Sequence, residues 1–173
     1  VVIFIGTEPA LRWRSFAAAH TELFKEVGAD LVVSLGALLA DVAHSRPPRV
    51  TGSAMDPKVS SRLDLQPSRY EGPTGIVGVL SQTCLDAGIP VTSIWASVPH
   101  YVAEPPNPKA TLALLGALED VIDTTLEARD LTHLAGVWES RVNELADDDP
   151  DVATYISDLE ERHDEEQADG DQI

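Results

Sequence analysis

Short apolar runs alternating with amphipathic helical patterns constrain the fold of this chain most. Residues 1–5 form an unbroken β-branched and aromatic run, which is typical of a strand buried in a parallel sheet. Apolar residues then recur at helical spacing over residues 9–27, and Gly28 is placed to end that helix. A second strand is predicted over residues 31–33. This βαβ order predicts an α/β fold with parallel pairing of its strands.

The same alternation returns later in the chain. The pattern is weak from residue 36 to Pro73, where Pro47, Pro48, Pro57 and Pro67 lie among polar residues, although residues 49–51 are predicted to form a short strand. A helix over residues 73–87 and a strand over residues 91–95 give a second step of the α/β pattern. Asn107 is predicted to cap the next helix, which begins at Pro108.

Two more amphipathic helices follow, and the short acidic connection between them predicts an antiparallel helical hairpin. Asp149 is predicted to cap the second of them. The predicted domains are an α/β body over residues 1–127, the hairpin over 128–163, and an acidic disordered tail over 164–173. The chain lacks an initiator methionine and opens directly in a predicted strand, which favours the interpretation that it is a piece of a longer protein.

Charge and cysteine content exclude several classes of function. The net charge is −17, and thirteen acidic residues against one arginine lie between Glu144 and the C-terminus. Affinity for nucleic acid comes from Lys and Arg side chains that neutralise phosphates, so binding to nucleic acid or to an anionic membrane is not expected. Cys84 is the single cysteine and has no partner for an internal disulfide, which favours a cytoplasmic location. No apolar run approaches the ~20 residues that cross a bilayer.

Two regions carry residues suited to ligand binding. The turn around Gly72 and Gly75 precedes a helix, whose N-terminal N–H groups attract anions, but it lacks the P-loop lysine and equally fits a simple tight turn. Trp95, His100 and Tyr101 follow a strand, where ligand crevices of α/β sheets lie. His100 has no evident catalytic partner, and a hydrogen-bonded structural role is the alternative for it and for His44. The spacing of the five histidines predicts no metal site.

Four stretches in order resemble the proteasome-assembly-chaperone family, in its actinobacterial-type branch. They are Arg46-Pro47-X-X-Val50-Thr51-Gly52, Tyr70-Glu71-Gly72-Pro73-Thr74-Gly75, Trp95-Ala96-Ser97-Val98-Pro99-His100-Tyr101 and Pro106-Asn107-Pro108-Lys109-Ala110. The resemblance implies a three-layer α/β fold with a mostly parallel central sheet, similar to nucleoside phosphorylases, with the helical hairpin added. It also implies a non-catalytic assembly or scaffold protein without a cofactor, which forms a homo-oligomer, first expected to be a trimer, and binds a protein partner.

The alternative function is binding or conversion of a small molecule, such as a nucleoside, a nucleotide or another phosphate-containing ligand, at the strand ends. The ligand-binding candidates that the resemblance and the two regions supply are Thr51, Gly52, Tyr70, Gly72, Thr74, Gly75, Trp95, His100, Tyr101 and Asn107; none is assigned a catalytic role. The apolar stripes of the hairpin require a surface to cover them, and the sequence leaves open whether a second copy or another protein provides it.

Overall fold

The computed structural model describes residues 1–54, 60–61, 75–102 and 105–170. Within these ranges it contains five long helices and three strands. The strands are β1 (Val32–Ala40), β2 (Val50–Ala54) and β3 (Val91–Pro99). The helices are α1 (Trp13–Glu26), α2 (Ile76–Asp86), α3 (Pro108–Ile122), α4 (Arg129–Asp147) and α5 (Pro150–Gly170), and a 3-10 turn covers His100–Val102. None of the helices in the described ranges is long and apolar enough to span a bilayer.

Strand β3 lies between β1 and β2 in the sheet. The N–H group of Val32 donates to the carbonyl oxygen of Pro90 at 3.0 Å. Further along both strands, two residues after Val32 and three after Pro90, the hydroxyl groups of Ser34 and Ser93 meet at 2.7 Å. Contacts that advance together along both strands identify β1 and β3 as a parallel pair. The parallel pairing that the α/β pattern predicted is therefore present between β1 and β3, whereas the βαβ unit predicted over residues 1–33 is not formed, because residues 1–5 form no strand.

Strand β2 runs antiparallel to β3. The N–H group of Ser97 donates to the carbonyl oxygen of Arg49 at 2.9 Å, whereas Thr92 donates its hydroxyl proton to the carbonyl oxygen of Ser53 at 3.0 Å. The described sheet is therefore mixed, which corrects the prediction of a mostly parallel sheet. Only nine residues connect β1 to β2, and a parallel return needs a crossover of about a dozen residues or more. The α/β class is confirmed, and the three-layer arrangement stays a prediction.

By its internal contacts the chain divides into two units, each discontinuous in sequence. One consists of Val1–Ser34 with Gly52–Ser93, and the other of Leu35–Thr51 with Ile94–Ile173. The predicted domains, with boundaries at residues 127 and 163, are continuous in sequence and do not correspond to these two units. They stay a prediction.

The first unit buries a small apolar cluster between α1 and α2. Its members are Phe24, Cys84, Ile89 and Val91. Cys84 is fully buried, as its place on the apolar face of the predicted helix indicated. A glycine lies just after the end of each of these helices, Gly28 after α1 and Gly88 after α2. Both have positive φ angles, of 67° and 79°, which residues other than glycine rarely adopt.

Residues 1–5 are not a buried strand, and that prediction is wrong. They lie outside the strands of the described sheet, and their side chains are exposed, from 41% for Phe4 to 105% for Val1. The ring of Phe4 packs edge-on against Phe24, with 5.0 Å between the ring centroids. A β-branched run is buried only where a neighbouring strand supplies backbone partners, and the described residues supply none to this segment.

The second unit contains a cluster of Ala96, Val98 and Ala110 where β3 meets α3. Asn107 caps α3 as predicted, since its side-chain oxygen accepts from the N–H group of Ala110 at 2.9 Å. Helices α4 and α5 follow, joined by the short acidic connection. The carboxylate of Asp149 accepts from the N–H group of Asp151 at 3.0 Å, which confirms the predicted cap.

Two elements are longer than the sequence pattern indicated. Strand β1 continues to Ala40, beyond the predicted end at residue 33, and it carries Leu35, Leu38 and Leu39 exposed. Gly36 weakens the strand pattern, yet its missing side chain makes room for the indole ring of Trp95. Helix α5 continues to Gly170, through most of the segment predicted to be a disordered tail. Side chains of that segment contact two arginines, and sequence periodicity does not reveal such contacts.

Candidate functional site

Predicted ligand-binding residues are spread over the chain. Tyr70, Gly72 and Thr74 lie outside the described residues. Gly75 immediately precedes α2 and is exposed, and it belongs to the first unit together with Gly52. The members in the second unit are Thr51, Trp95, His100, Tyr101 and Asn107. Their role as ligand-binding residues stays a prediction, and the polar contacts of the second unit centre on a different residue.

His44 is the centre of a buried polar cluster in the second unit. It lies in the connection between β1 and β2 and is 3% exposed. Its backbone N–H group donates to the phenol oxygen of Tyr101 at 2.8 Å, and its ring Nδ1 lies 2.9 Å from the same oxygen. The other ring nitrogen, Nε2, lies 2.8 Å from the side-chain oxygen of Asn143 on α4. All hydrogen-bonding groups of the imidazole are therefore engaged.

The partners of His44 fix the role of one ring nitrogen. An amide oxygen only accepts hydrogen bonds, so Nε2 of His44 donates to the side-chain oxygen of Asn143. The phenol oxygen of Tyr101 lies within hydrogen-bonding distance of Nδ1 and also accepts from the backbone N–H group of His44. The ring is therefore held on both sides by other segments of the chain.

Lys109 extends the cluster to a fourth segment. Its ammonium group donates to the carbonyl oxygen of His44 at 2.7 Å and to the carboxylate of Glu139 on α4 at 2.5 Å. The side chain of Lys109 is only 17% exposed, so the ion pair is largely withdrawn from water. Hydrogen bonds to His44 and Lys109 thus join four segments of the chain, which are the connection after β1, the turn after β3, the first turn of α3 and one face of α4.

Aromatic rings surround the cluster. Trp138 packs edge-on against His44, with 6.3 Å between the ring centroids, and Tyr155 packs edge-on against Tyr101 at 6.1 Å. At the exposed side, Nδ1 of His100 lies 3.3 Å from the carboxylate of Asp41. His100 therefore lies at the rim of the cluster, and the buried imidazole is that of His44.

Raising the pH above 10 is expected to weaken the fold through Tyr101. Burial raises the pKa of Tyr101 from 10.0 to about 12. Between these values the unfolded chain loses the phenol proton and the native chain keeps it, so the free energy of unfolding falls as the pH rises. Urea unfolding at about pH 9 and about pH 11.5 measures the fall. Tyr101→Phe should show a smaller fall than the wild type, and equal falls would contradict the assignment.

This arrangement suits structural cohesion better than proton transfer. A catalytic histidine needs a ring nitrogen that reaches substrate, whereas both ring nitrogens of His44 are bonded to other side chains of the protein. Burial of a polar group is stabilising only when its hydrogen bonds are made, and here they are made. Within the described part of the chain, no group of three or more His, Cys, Asp or Glu side chains is arranged to hold a metal ion.

Sequence reasoning identified some members of the cluster and missed others. The sequence predicts Tyr101 as a ligand-binding residue, which stays a prediction, and it offers both a functional and a structural interpretation of His44, of which the structural one fits its contacts. Lys109 lies in one of the four stretches but carried no predicted role. Asn143 and Glu139 were missed, because a polar residue on an amphipathic helix has no sequence signal that separates a buried contact from a solvated one.

Comparison with known proteins places the chain in a family. The sequence profile of the PAC2 family matches residues 1–146. The chain belongs to the PAC2 family. This match confirms the resemblance seen in the four stretches. The matched residues include the three strands, helices α1 to α3 and most of α4. No curated protein matches the chain.

Solved structures of related proteins are similar over most of this chain. A PAC2 family protein from Streptomyces avermitilis is 51% identical, with a TM-score of 0.79 over 87% of this chain and 63% of its own length. A proteasome-assembly chaperone homologue from Mycobacterium tuberculosis is 46% identical, with a TM-score of 0.76 over 87% of this chain and 64% of its own. The archaeal protein PbaA from Pyrococcus furiosus, at 19% identity and a TM-score of 0.62 over 82% of this chain and 63% of its own, shares the fold. The chain thus spans less than two thirds of the length of these relatives.

Proposed function

We propose that this PAC2 chain is a non-catalytic assembly protein, which self-associates and binds a protein partner. Membership of the family and 46% identity to a proteasome-assembly chaperone homologue support this role. The observation that carries the proposal is the buried cluster around His44. Its imidazole, phenol and ammonium groups hold four segments of the chain together.

The exposed face of α4 supports self-association. Leu134, Val137 and Leu145 on this helix are each at least half exposed, and Val137 lines an open groove with Gly136 and Ser140. Single exposed apolar residues are ordinary, but several along one helix are typical of a contact surface. The small residues between them allow another backbone to approach. A homo-oligomer, first expected to be a trimer, would cover this face.

Size-exclusion chromatography with light scattering tests the oligomer. The expected result is a mass three times that of one chain, because burial of the apolar face favours association. Val137→Glu together with Leu145→Glu should shift the protein to a monomer, since a carboxylate in an apolar contact loses its hydration. Leu11→Glu is the matched control, because Leu11 is 80% exposed in the other unit and should leave the mass unchanged.

Affinity capture from the native host completes this test. A specific protein retained by the wild type supports an assembly role. A wild-type monomer that retains no specific protein would contradict both parts of the proposal. The alternative is a small-molecule-binding protein or enzyme for a nucleoside, a nucleotide or another phosphate-containing ligand, with the turn from Gly72 to Gly75 holding a phosphate or carboxylate and His100 or Tyr101 contacting the ligand. Gly72 lies outside the described residues, and this alternative stays a prediction.

A further inference from the structure

The end of helix α5 is attached to the second unit by polar contacts. Residues 150–170 contain eight acidic residues and a single arginine. Ile156 and Leu159 are buried, at 7% and 2% exposure, and they pack the first half of the helix. Between residues 160 and 170 the only apolar side chain is the exposed Ala168. The last eleven residues of α5 can therefore leave their position without exposing apolar core.

These residues contact a short basic segment, residues 45–49, here called the arginine loop. Arg46 holds the carboxylate of Asp164 in a two-pronged contact, with Nε to Oδ1 at 2.8 Å and Nη2 to Oδ2 at 2.7 Å. Arg49 holds the carboxylate of Glu166 at 2.7 Å. Glu160, one helical turn before Asp164, accepts from the hydroxyl group of Ser45 and lies 3.4 Å from Arg46.

The geometry is that of a carboxylate receptor. A guanidinium group presents parallel N–H donors that match the two oxygens of a carboxylate, so the contact of Arg46 is directional as well as electrostatic. It also holds the pKa of Asp164 below its ordinary value. Glu160 and Asp164 are four residues apart and project from the same face of a helix, so the arginine loop fits two carboxylates at this spacing.

The contact is also easily exchanged. The side chains of Arg49 and Glu166 are 66% and 64% exposed, and those of Arg46 and Asp164 are 30% and 56% exposed. Ion pairs this accessible to water contribute little net stability and weaken with added salt. Another ligand that offers the same carboxylates would compete with α5 for the same donors.

We propose that Ser45, Arg46 and Arg49 form a docking site for an acidic helical segment of a protein partner, which displaces residues 160–170 of α5. This proposal rests on the proposed assembly function. It adds the surface of this chain that binds the partner and the negative charge of the partner segment. Charge complementarity favours an acidic occupant, because Arg46 and Arg49 are cationic and the segment that they now bind is an acidic helix. Exchange of this segment with a second copy would replace each contact by an identical one, so a second copy would gain no contact at this site.

A fluorescent peptide with the sequence of residues 150–170 serves as the acidic probe. Its binding to the full chain is followed by anisotropy, with a second peptide carrying Glu160→Gln, Asp164→Asn and Glu166→Gln as the control. The expected result is binding of the acidic peptide at low salt, binding of the neutralised peptide at least about tenfold weaker, and loss of binding in about 1 M NaCl. Equal binding of the two peptides would overturn the proposal.

Displacement is measured in the ¹⁵N-labelled full chain by amide hydrogen exchange. The acidic peptide should raise exchange over residues 160–170 by about tenfold, because the displaced segment loses its attachment. The double variant Arg46→Glu with Arg49→Glu should show fast exchange without the peptide and should not bind it. Arg14→Glu with Arg129→Glu changes the net charge equally at exposed positions and is the matched control.

Reversing the arginines could prevent folding, and a second variant of the chain then tests the proposal. It carries Glu160→Gln, Asp164→Asn and Glu166→Gln and keeps both arginines. Loss of the internal competitor should tighten binding of the acidic peptide by about tenfold. Unchanged or weaker binding would overturn the proposal. Concentration-dependent dimers that require Arg46 and Arg49 would assign the surface to a second copy and would also overturn it. Capture of a host protein by the double variant would leave the assembly role standing while the docking site fails.

Discussion

Replacing His44 by alanine is expected to lower the free energy of unfolding by about 3 kcal/mol, since it removes both hydrogen bonds of the imidazole and leaves a buried cavity. The phenol of Tyr101 and the side-chain oxygen of Asn143 each lose the imidazole as a partner in a region withdrawn from water, although the phenol keeps the backbone N–H group of residue 44. A buried group left without a partner keeps the cost of its lost hydration. The effect should therefore exceed that of most single substitutions on this chain.

Urea unfolding followed by circular dichroism measures this change. His133→Ala is the matched control, because His133 is exposed on α4 and should change stability by less than about 0.5 kcal/mol. If the two variants were equally stable, the cluster around His44 would not contribute to the fold as its geometry indicates.

Replacing Gly36 by alanine is expected to destabilise the protein by about 2 kcal/mol through overpacking. A Cβ atom at this position would lie under 3.0 Å from three atoms of the Trp95 ring, closer than such atoms approach in real proteins. The indole is rigid, so it must turn away as a whole or push the strands apart. Either movement disturbs the contact between β1 and the central strand β3.

Intrinsic tryptophan fluorescence, read together with urea unfolding, detects both the moved ring and the lost stability. Gly116→Ala is the matched control, because Gly116 lies in α3 with nothing within 4 Å of the added atom. It should stabilise the protein by about 0.5–1 kcal/mol, since alanine favours the helical conformation. A Gly36→Ala variant as stable as the wild type, with unchanged fluorescence, would show that the ring does not depend on glycine.

The sequence predicted elements where local chemistry determines them. Asn107 and Asp149 begin helices because their side chains reach backbone N–H groups within the same turn, and Gly28 and Gly88 end helices because they adopt positive φ angles. Such signals act over three or four residues and are visible in the sequence. The direction of β2 follows from the nine-residue connection between β1 and β2. The sequence did not reveal this constraint, because the predicted strands, which end at residue 33 and begin at residue 49, leave a longer connection.

The candidate site was less predictable because its contacts join distant residues. The pairing of His44 with Asn143 requires knowledge of where α4 packs, and an amphipathic pattern specifies which face is apolar but not what lies opposite a polar residue. Residues 1–5 illustrate the reverse error. Their apolar character indicates a strand that the chain would bury, whereas the described fold gives them no strand to pair with.

The order of synthesis separates the partners of the segment between β1 and β2. His44 precedes Asn143 by 99 residues, and Arg46 precedes Asp164 by 118. Contacts of such sequence separation raise the contact order and form slowly, because the closure of a long loop has to precede them. On the ribosome this segment emerges long before its ligands, so its imidazole and guanidinium groups stay hydrated until the last two helices arrive.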